Sequence, residues 1–266
     1  MELVSASKLR KASEYALQSR DYYDLAIEIL SILSVKPELA QQSFFEQRTL
    51  KNHLYVVVTS NSGLAGAYNS NVLKRLTDEL IVDSAKNYHS HVIAVGNKGA
   101  QFVRRFKDLN LEAVYAEYKD QPSANDIRPL LLNVINLYKD HKVDRVTLIY
   151  TKFKSTISQQ VRSTQLLPII ELEDLPVTET KISNFEPDLE SVIDQIAIRL
   201  IEAELWQAIL EALASEQAMR MMAMKNASDN AKDLIEDYTL ELNTLRQASI
   251  TQELAEISGG VEALKD

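Results

Sequence analysis

The spacing of glycine and proline constrains the fold of this chain more than any other feature of its sequence. The glycines are Gly63, Gly66, Gly96, Gly99, Gly259 and Gly260, and the prolines are Pro37, Pro122, Pro129, Pro168, Pro176 and Pro187. Residues 1–36 and 188–258 therefore contain neither. Because these two residues are the strongest helix breakers, the sequence predicts two uninterrupted helices on either side of a punctuated middle.

Both predicted helices carry small and apolar residues at a coiled-coil spacing. In the second helix, steps of three and four residues connect Met224, Ala227, Ala231, Leu234, Tyr238, Leu242 and Leu245. The first helix repeats the pattern through Leu9, Ala12, Ala16, Ser19, Tyr23, Ala26, Leu30 and Leu33. A mean step of about 3.5 residues is typical of left-handed coiled coils, and the alanines and serines predict a close approach of the helix axes. The alternative is two amphipathic helices on a globular core, but the second helix is longer than such a core is wide.

The middle of the chain alternates between strand and helix patterns. Apolar runs predict strands at Tyr55–Thr59, His91–Val95, Leu111–Tyr118 and Val143–Tyr150, and the alternating stretch Lys152–Leu167 predicts edge-strand structure. Helices are predicted at Asn71–Ala85, Gly99–Phe106 and Ile127–His141. Such alternation predicts a mostly parallel, doubly wound sheet. The acidic, proline-punctuated residues 171–187 predict a loop or hairpin.

The predicted fold class is therefore α/β, with a long antiparallel coiled coil and an inserted Rossmann-like domain. The predicted domains are an N-terminal coiled-coil helix over residues 1–36, the α/β domain with its loops over 37–187, and a long C-terminal coiled-coil helix over 188–266. The antiparallel direction of the coiled coil comes from the family resemblance described below.

Composition excludes several classes of function. The chain has no cysteine, which rules out disulfides and thiolate metal sites. Its four histidines offer no ligand spacing beyond His89-x-His91, which is half a metal site, so we predict neither a metal nor a cofactor. The net charge of −9 argues against general binding to nucleic acid. No apolar stretch approaches the ~18 residues that span a bilayer.

Two local patterns could indicate a ligand site or a catalytic site. Gly63-Leu-Ala-Gly66 follows the first predicted strand, where Rossmann-type folds place a phosphate loop. It lacks the third glycine of that pattern, and no Lys-Ser or Lys-Thr pair follows it, so a tight turn is the better interpretation. The sequence shows no clustered Ser/His/Asp set and no G-x-S-x-G elbow. Asp140 and His141 are predicted to cap a helix.

The most distinctive polar stretch runs from Arg246 to Glu253. On a helix, Arg246, Ile250 and Glu253 share one face, and Gln247 and Thr251 share the adjacent one. A guanidinium beside an amide suits recognition of a carboxylate on a partner. The alternative is a solvated helix surface.

Four stretches resemble the gamma subunit of bacterial F-type ATP synthases. They are Met1–Lys11 (MELVSASKLRK), Val57–Asn69 (VVTSNSGLAGAYN), Ser215–Ala231 (SEQAMRMMAMKNASDNA) and Leu245–Ile257 (LRQASITQELAEI). They occur in the order found in that family and are distributed over nearly the whole chain. Such a combination is far more specific than any one motif.

This resemblance implies a non-catalytic rotor subunit that couples ion flow to ATP synthesis and hydrolysis in a proton-transporting complex, and that regulates ATPase activity and proton flow. The terminal helices would form an antiparallel coiled coil whose tip lies inside a ring of three alpha and three beta subunits. The α/β domain would lie on the membrane c-ring beside an epsilon subunit. The subunit would thus be peripheral to the cytoplasmic face of the bacterial plasma membrane.

The resemblance also implies interface residues. The positions of Arg246, Gln247 and Thr251 contact a loop of the beta subunit in that family. The positions of Met1, Lys8 and Arg220 lie where the beta lever meets the shaft.

The chain departs from the family in two places. Its turn carries Asn61 and Ser62 where the family usually has an acid and a base, and Ala65 where it often has cysteine. The family also usually has a further segment before the position of Met1, which leaves the stripe from Ala227 to about Ile257 without a partner helix in this chain. Because exposing this stripe would cost several kcal/mol, we expect that the natural product starts upstream or that the alpha and beta ring covers the stripe.

Two other interpretations remain open. One is a free coiled-coil scaffold or adaptor with an α/β module, which would sediment as a homo-oligomer. The other is a nucleotide-binding enzyme with a helical dimerisation arm, which NAD or ATP would stabilise against heat.

Overall fold

A computed structural model describes residues 1–33, 43–107, 109–116, 122–169 and 189–263. The two predicted long helices are α1 (Glu2–Leu33) and α5 (Leu189–Ala263), of 32 and 75 residues. Between them lie β1 (Asn52–Val58), α2 (Tyr68–Ala85), β2 (His89–Val95), α3 (Asn97–Val103), β3 (Asn110–Tyr115), α4 (Ala124–Lys139), β4 (Arg145–Phe153) and β5 (Gln159–Leu167). The predicted loop 171–187 and both predicted domain boundaries lie outside the described residues.

The strands form one sheet in the order β3-β2-β1-β4-β5. The pairs β1–β2, β1–β4 and β2–β3 are parallel, and β4–β5 is antiparallel. This confirms the mostly parallel, doubly wound sheet. The predicted edge stretch Lys152–Leu167 is divided between two strands. Lys152 and Phe153 end β4, and the chain reverses where Lys154 N–H donates to the Ser158 carbonyl at 3.2 Å.

The sheet is buried on both faces, which explains the nearly continuous apolar runs of its strands. Alternate residues of β1 point to opposite sides. Leu54, Val56 and Val58 belong to a core cluster with residues of α4 and α5, whereas Tyr55 and Val57 belong to a second cluster with α2 and α3 residues. The N-terminal part of α5, from Ile193 to Ala212, is therefore one of the helices that cover the sheet.

Helix α4 begins three residues before its predicted start at Ile127. Ser123 precedes its first turn, and the Asp126 carboxylate accepts a hydrogen bond from the Ser123 backbone N–H at 2.8 Å. This Ser-x-x-Asp pattern is a capping box, and it sets the beginning of the helix. Pro129 is the sixth residue of α4, so the helix lacks the hydrogen bond that an N–H at this position would donate to the Asn125 carbonyl.

Helix α1 packs antiparallel to α5. Leu9 and Ala12 pack with Ala214 and Ala218, and further along α1 the Ser19 hydroxyl hydrogen-bonds to Gln207. Rising residue numbers on α1 thus run beside falling numbers on α5. The predicted close contact through small residues is confirmed for Ala12, Ala16 and Ser19, which are buried. The side chains of Tyr23, Ala26, Leu30 and Leu33 lie outside the described part.

The chain divides into two compact units, Met1–Met221 and Met222–Asp266. The first unit contains α1, the sheet, α2 to α4 and the packed part of α5. In the second unit α5 continues through Gly259 and Gly260 to Ala263. Every residue from 225 to 260 is exposed, so the predicted stripe beyond Met224 has no covering helix among the described residues.

Candidate subunit interface

The predicted turn after β1 is built from backbone and side-chain hydrogen bonds. Ser60 N–H donates to Asn69 Oδ1 at 3.0 Å, and Asn69 Nδ2 donates to Ser60 Oγ at 2.7 Å. Asn61 Oδ1 accepts a hydrogen bond from the Asn97 N–H at 3.0 Å. The turn therefore connects the end of β1 to the beginnings of α2 and α3, and Asn61 provides this link without a charge.

Gly96 is required by the close approach of β1 and β2 at this end of the sheet. Its φ is +96°, and an added Cβ would lie 2.1 Å from the Thr59 carbonyl oxygen. Thr59 N–H donates to the Val95 carbonyl at 2.7 Å, and Gly99 N–H donates to Thr59 Oγ1 at 2.8 Å. The glycine therefore permits this close packing of the backbone.

Helix α5 fills the space where a doubly wound sheet usually binds a ligand. Such ligands lie outside the carboxyl ends of the strands. Here the cavity beside the ends of β1 and β2 measures about 30 Å³, and Ile209, Ala212 and Leu213 of α5 line it. This is room for about one water molecule. This cavity is therefore far too small for a nucleotide.

Arg220 connects α5 to the same turn. Its Nη2 lies 2.6 Å from Glu216 Oε1, and it donates to Ser62 Oγ at 3.0 Å and to the Gly63 carbonyl at 3.4 Å. Ser62 thus accepts a hydrogen bond at a position where the family usually has a base. The side chains of Arg220 and Glu216 are only 12% and 10% exposed.

The other predicted interface residues lie in both units. Met1 is exposed at the start of α1, and Lys8 is half-buried on the same helix. Arg246, Gln247 and Thr251 are exposed on α5 in the second unit, where Thr251 Oγ1 donates to the Gln247 carbonyl at 2.8 Å. Within each unit these side chains point to solvent or half to solvent, and their subunit contacts stay a prediction.

The sequence predicted no clustered set of Ser, His and Asp side chains. This prediction is wrong, because the fold brings such side chains together around Asp83. His53 Nδ1 lies 2.9 Å from Asp83 Oδ2, and His53 Nε2 lies 2.7 Å from Thr147 Oγ1. The Tyr55 and Ser90 hydroxyls donate to the same Asp83 oxygen at 2.7 and 3.2 Å. The sequence signal for this cluster is Asp83 itself, which continues the buried face of α2 seven residues after Leu76.

Burial controls the protonation of this cluster. It lowers the pKa of His53, and the nearby Asp83 carboxylate opposes that shift. Burial and the hydrogen bond to Asp83 raise the pKa of Tyr55. The order Thr–His–Asp resembles a hydrolase triad, but His53, Asp83 and Thr147 are all buried. The cluster fastens the end of α2 to the sheet by hydrogen bonds that satisfy one another.

Among the described residues, no three His, Asp or Glu side chains are grouped closely enough to hold a metal ion. No helix in the described part of the chain combines the length and hydrophobicity that crossing a bilayer requires.

The fold defines a class of protein in which an α/β module is inserted between two antiparallel helices, one of which continues with an exposed apolar face. The family model described as ATP synthase matches residues 1–264. The ATP synthase gamma chain of Staphylococcus saprophyticus is 35% identical over 267 positions, which cover 100% of this chain and 92% of that protein. A gamma chain of Staphylococcus epidermidis has the same identity and coverage. The chain belongs to the ATP synthase gamma-chain family.

Solved structures agree with this assignment. A chain from the central stalk and c-ring of the Tetrahymena thermophila mitochondrial ATP synthase has a TM-score of 0.65 and 27% identity, covering 86% of this chain and 97% of that one. A chain from the Euglena gracilis mitochondrial assembly of OSCP, F1 and c-ring has a TM-score of 0.62 and 19% identity, with coverages of 99% and 94%. At that identity the second likeness concerns the fold alone.

Proposed function

We propose that this chain is the central-stalk rotor subunit of an F-type ATP synthase. It connects a membrane c-ring to a catalytic ring of three alpha and three beta subunits, with an epsilon subunit beside its α/β module. Support comes from the gamma-chain relatives at 35% identity and from the similar chain in the Tetrahymena central stalk. Rotation of this subunit would couple ion flow to ATP synthesis and hydrolysis, and would regulate both.

The exposed apolar row of the second unit carries this proposal. Large side chains along α5 stand in solvent at more than half of their full exposure, including Leu234, Tyr238, Leu242, Leu245 and Leu254. Monomeric proteins rarely leave so extended an apolar surface uncovered. A surrounding ring of subunits would bury it, and its apolar character would let the helix turn without breaking directional bonds.

Coupling then depends on contacts that differ around the helix. A ring of three equal sites has no preferred order until an asymmetric shaft touches each site differently. A ligand or partner shifts a conformational equilibrium only by its differential affinity for the states. The contact energy of the shaft with each beta subunit is therefore the quantity that links rotation to nucleotide affinity, and the linkage is reciprocal.

The chain itself would be non-catalytic and peripheral to the cytoplasmic face of the plasma membrane. The filling of the carboxyl edge of the sheet by α5 supports the first statement. The second follows from attachment through the c-ring. The purified chain alone is expected to hydrolyse no ATP, and measurable turnover by the chain would contradict a purely mechanical role.

Native mass spectrometry tests the assignment. The chain is tagged in its host, the complex is purified gently, and its stoichiometry is measured. One copy with three alpha and three beta subunits is the expected result. A homo-oligomer without these partners would overturn the proposal and favour a coiled-coil adaptor.

Arg246, Gln247 and Thr251 are the proposed contacts with the beta subunit, because a guanidinium and an amide on adjacent faces suit a partner carboxylate. Arg246→Ala with Gln247→Ala should lower coupled ATP synthesis about tenfold, the effect of losing charge-assisted hydrogen bonds. Folding should be unchanged, because both side chains are exposed. Synthesis is measured in membrane vesicles with equal amounts of assembled complex.

Matched controls come from the same helix. Lys225→Ala with Asn226→Ala removes a cation and an amide from an exposed pair, and should leave synthesis near normal. Thr244→Ala controls for Thr251→Ala, because both hydroxyls donate to the carbonyl four residues earlier. Equal losses in the test and control variants would contradict a specific contact.

A further inference from the structure

Arg220 uses one nitrogen to hold two parts of the first unit together. Its Nη2 contacts Glu216 one turn earlier on α5, and it also reaches Ser62 and Gly63 in the turn after β1. The turn is more than 150 residues away in sequence. An i, i+4 ion pair with Glu216 prearranges the guanidinium, so the hydrogen bonds to the turn form without much further loss of side-chain freedom.

The contact between Arg220 and the turn lies at the edge of a region that is shielded from solvent, as the burial of Tyr68 shows. Tyr68 is the first residue of α2 and is 1% exposed. Burial raises the pKa of its hydroxyl, Glu216 adds to that shift, and Arg220 opposes it. The phenol, the carboxylate and the guanidinium therefore share one poorly hydrated environment, in which a charge-assisted hydrogen bond is stronger than at an open surface.

Arg220 lies where α5 stops packing against the rest of the first unit. Residues 205–218 of α5 are mostly buried against the sheet or α1, whereas residues 225–260 are all exposed. Five residues before Arg220, the Ser215 hydroxyl donates to the Thr151 carbonyl at 3.1 Å. Among the hydrogen bonds of the described residues, those of Arg220 reach the sheet module from the position furthest along α5. The first unit ends one residue later, at Met221.

We propose that Arg220 is a positioning residue, which ties the turn after β1 to α5 at the end of its packed part and stays engaged while the assembly turns. Load applied to the exposed part of α5 would then pass into the sheet module through this turn as well as through the buried core. Ser62 contributes to the tie because its hydroxyl accepts a hydrogen bond from the guanidinium, whereas a cation at that position would repel it. The statement that the tie stays engaged during rotation rests on the proposed function.

Hydrogen exchange of the purified chain tests the tie itself. In Arg220→Gln, the Ser60, Asn97 and Lys98 amides, which are bonded within or beside the turn, should exchange roughly tenfold faster. Ser62→Lys should have the same effect, and Ser62→Ala a smaller one. Because Ser62 is exposed, these two variants remain informative if Arg220→Gln folds poorly. The Asn52 and His89 amides, at the opposite end of the sheet, are internal controls.

Arg246→Gln is the matched variant for that experiment. It makes the same chemical change in the exposed part of α5, so it should leave exchange at the turn unchanged. Unaltered exchange at the turn in both Arg220→Gln and Ser62→Lys would show that the tie contributes nothing, and would overturn the inference.

A crosslink tests whether the tie stays engaged during turnover. The chain contains no cysteine, so Ser62→Cys with Arg220→Cys removes the tie and supplies two unique thiols. Coupled ATP synthesis should fall about threefold, as for the loss of one hydrogen bond of modest net strength, and joining the thiols with a short bifunctional maleimide should restore it. A merely structural role would alter assembly and leave synthesis per assembled complex unchanged.

The crosslinking result and copurification with alpha and beta subunits test the tie and the proposed function separately. If crosslinking lowers synthesis further, Arg220 must disengage from Ser62 during rotation, and the inference is wrong. Both single-cysteine variants and the unaltered complex receive the same reagent as controls. A chain that never copurifies with alpha and beta subunits would contradict the proposed function, while the exchange result for the tie would stand.

Discussion

Several leucines of the sheet and its covering helices are fully buried in the first unit, whereas the described leucines of the second unit stand in solvent. Leu54, Leu76 and Leu148 are fully buried in Met1–Met221, but Leu242 is 65% exposed in Met222–Asp266. Burying one leucine fully contributes about 1.5–3 kcal/mol. The first unit therefore derives its stability from its own core, while the described part of the second keeps the same type of side chain available for other chains.

The polar groups of the two units differ in the same way. In the first unit, hydroxyls and carboxylates join elements that are distant in sequence, as His53, Asp83 and Thr147 do. In the second unit, the hydroxyls of Thr239, Thr244 and Thr251 bond to carbonyls four residues earlier. Such local bonds add little tertiary stability. The conformation of the first unit is thus determined by long-range contacts. That of the second unit depends on helix propensity and on the chains that cover it.

The largest expected effect comes from Gly96→Ala in the first unit. Its positive φ and the 2.1 Å approach of an added Cβ to the Thr59 carbonyl should together cost about 4 kcal/mol. Denaturant unfolding followed by the fluorescence of Trp206, which packs against the main core cluster, measures this loss. A loss below about 1 kcal/mol would mean that the ends of β1 and β2 separate easily.

A pair of leucine truncations probes the comparison directly. Leu148→Ala removes a fully buried side chain and should cost about 3 kcal/mol. Leu242→Ala removes an exposed one and should change the stability of the isolated chain by less than about 0.5 kcal/mol. Both are measured by the same unfolding experiment. A large loss for Leu242→Ala in the isolated chain would show that the second unit packs on itself or on another copy.

The protonation of His53 should make the first unit sensitive to acid. Because burial lowers its folded-state pKa below 6.5, the unfolded chain binds the proton more readily, and stability falls as the pH decreases below 6.5. The loss is at most about 1.4 kcal/mol per pH unit, and it stops once the pH reaches the folded-state value. His53→Gln should flatten this dependence, whereas His141→Gln at an exposed helix end should not.

Periodicity in the sequence predicted much of the fold because each element here has a strong local pattern. The long run without glycine or proline predicted α5, and β-branched apolar runs predicted β1, β2 and β4. What the pattern could not predict is which surface covers each apolar face. Ile193, Ala197 and Ala208 of α5 pack against the sheet, although the same helix later carries an equally apolar face that is exposed.

The candidate interface was predictable only in part, for a related reason. The helical spacing of Arg246, Gln247 and Thr251 indicates adjacent faces, but their contacts depend on other chains. The His53 cluster required the strand order, since His53 meets Ser90 only because β1 and β2 are paired in that register. Arg220 reaches Ser62 because the end of β1 lies against α5, which spacing along the chain does not encode.

An effect of the opposite sign is expected from the same substitution in the other unit, and it should stay local to the end of α5. Gly259→Ala adds a Cβ that meets nothing within 4 Å, in a residue that is already helical. Alanine loses less backbone entropy than glycine in a helix, so this end of α5 should be stabilised by about 0.5–1 kcal/mol. Circular dichroism should show a small gain in helicity, while the Trp206 unfolding transition should not move. If Gly259→Ala instead lowered helicity, the end of α5 would owe its conformation to contacts and not to helix propensity, and the two units would differ less than their burial indicates.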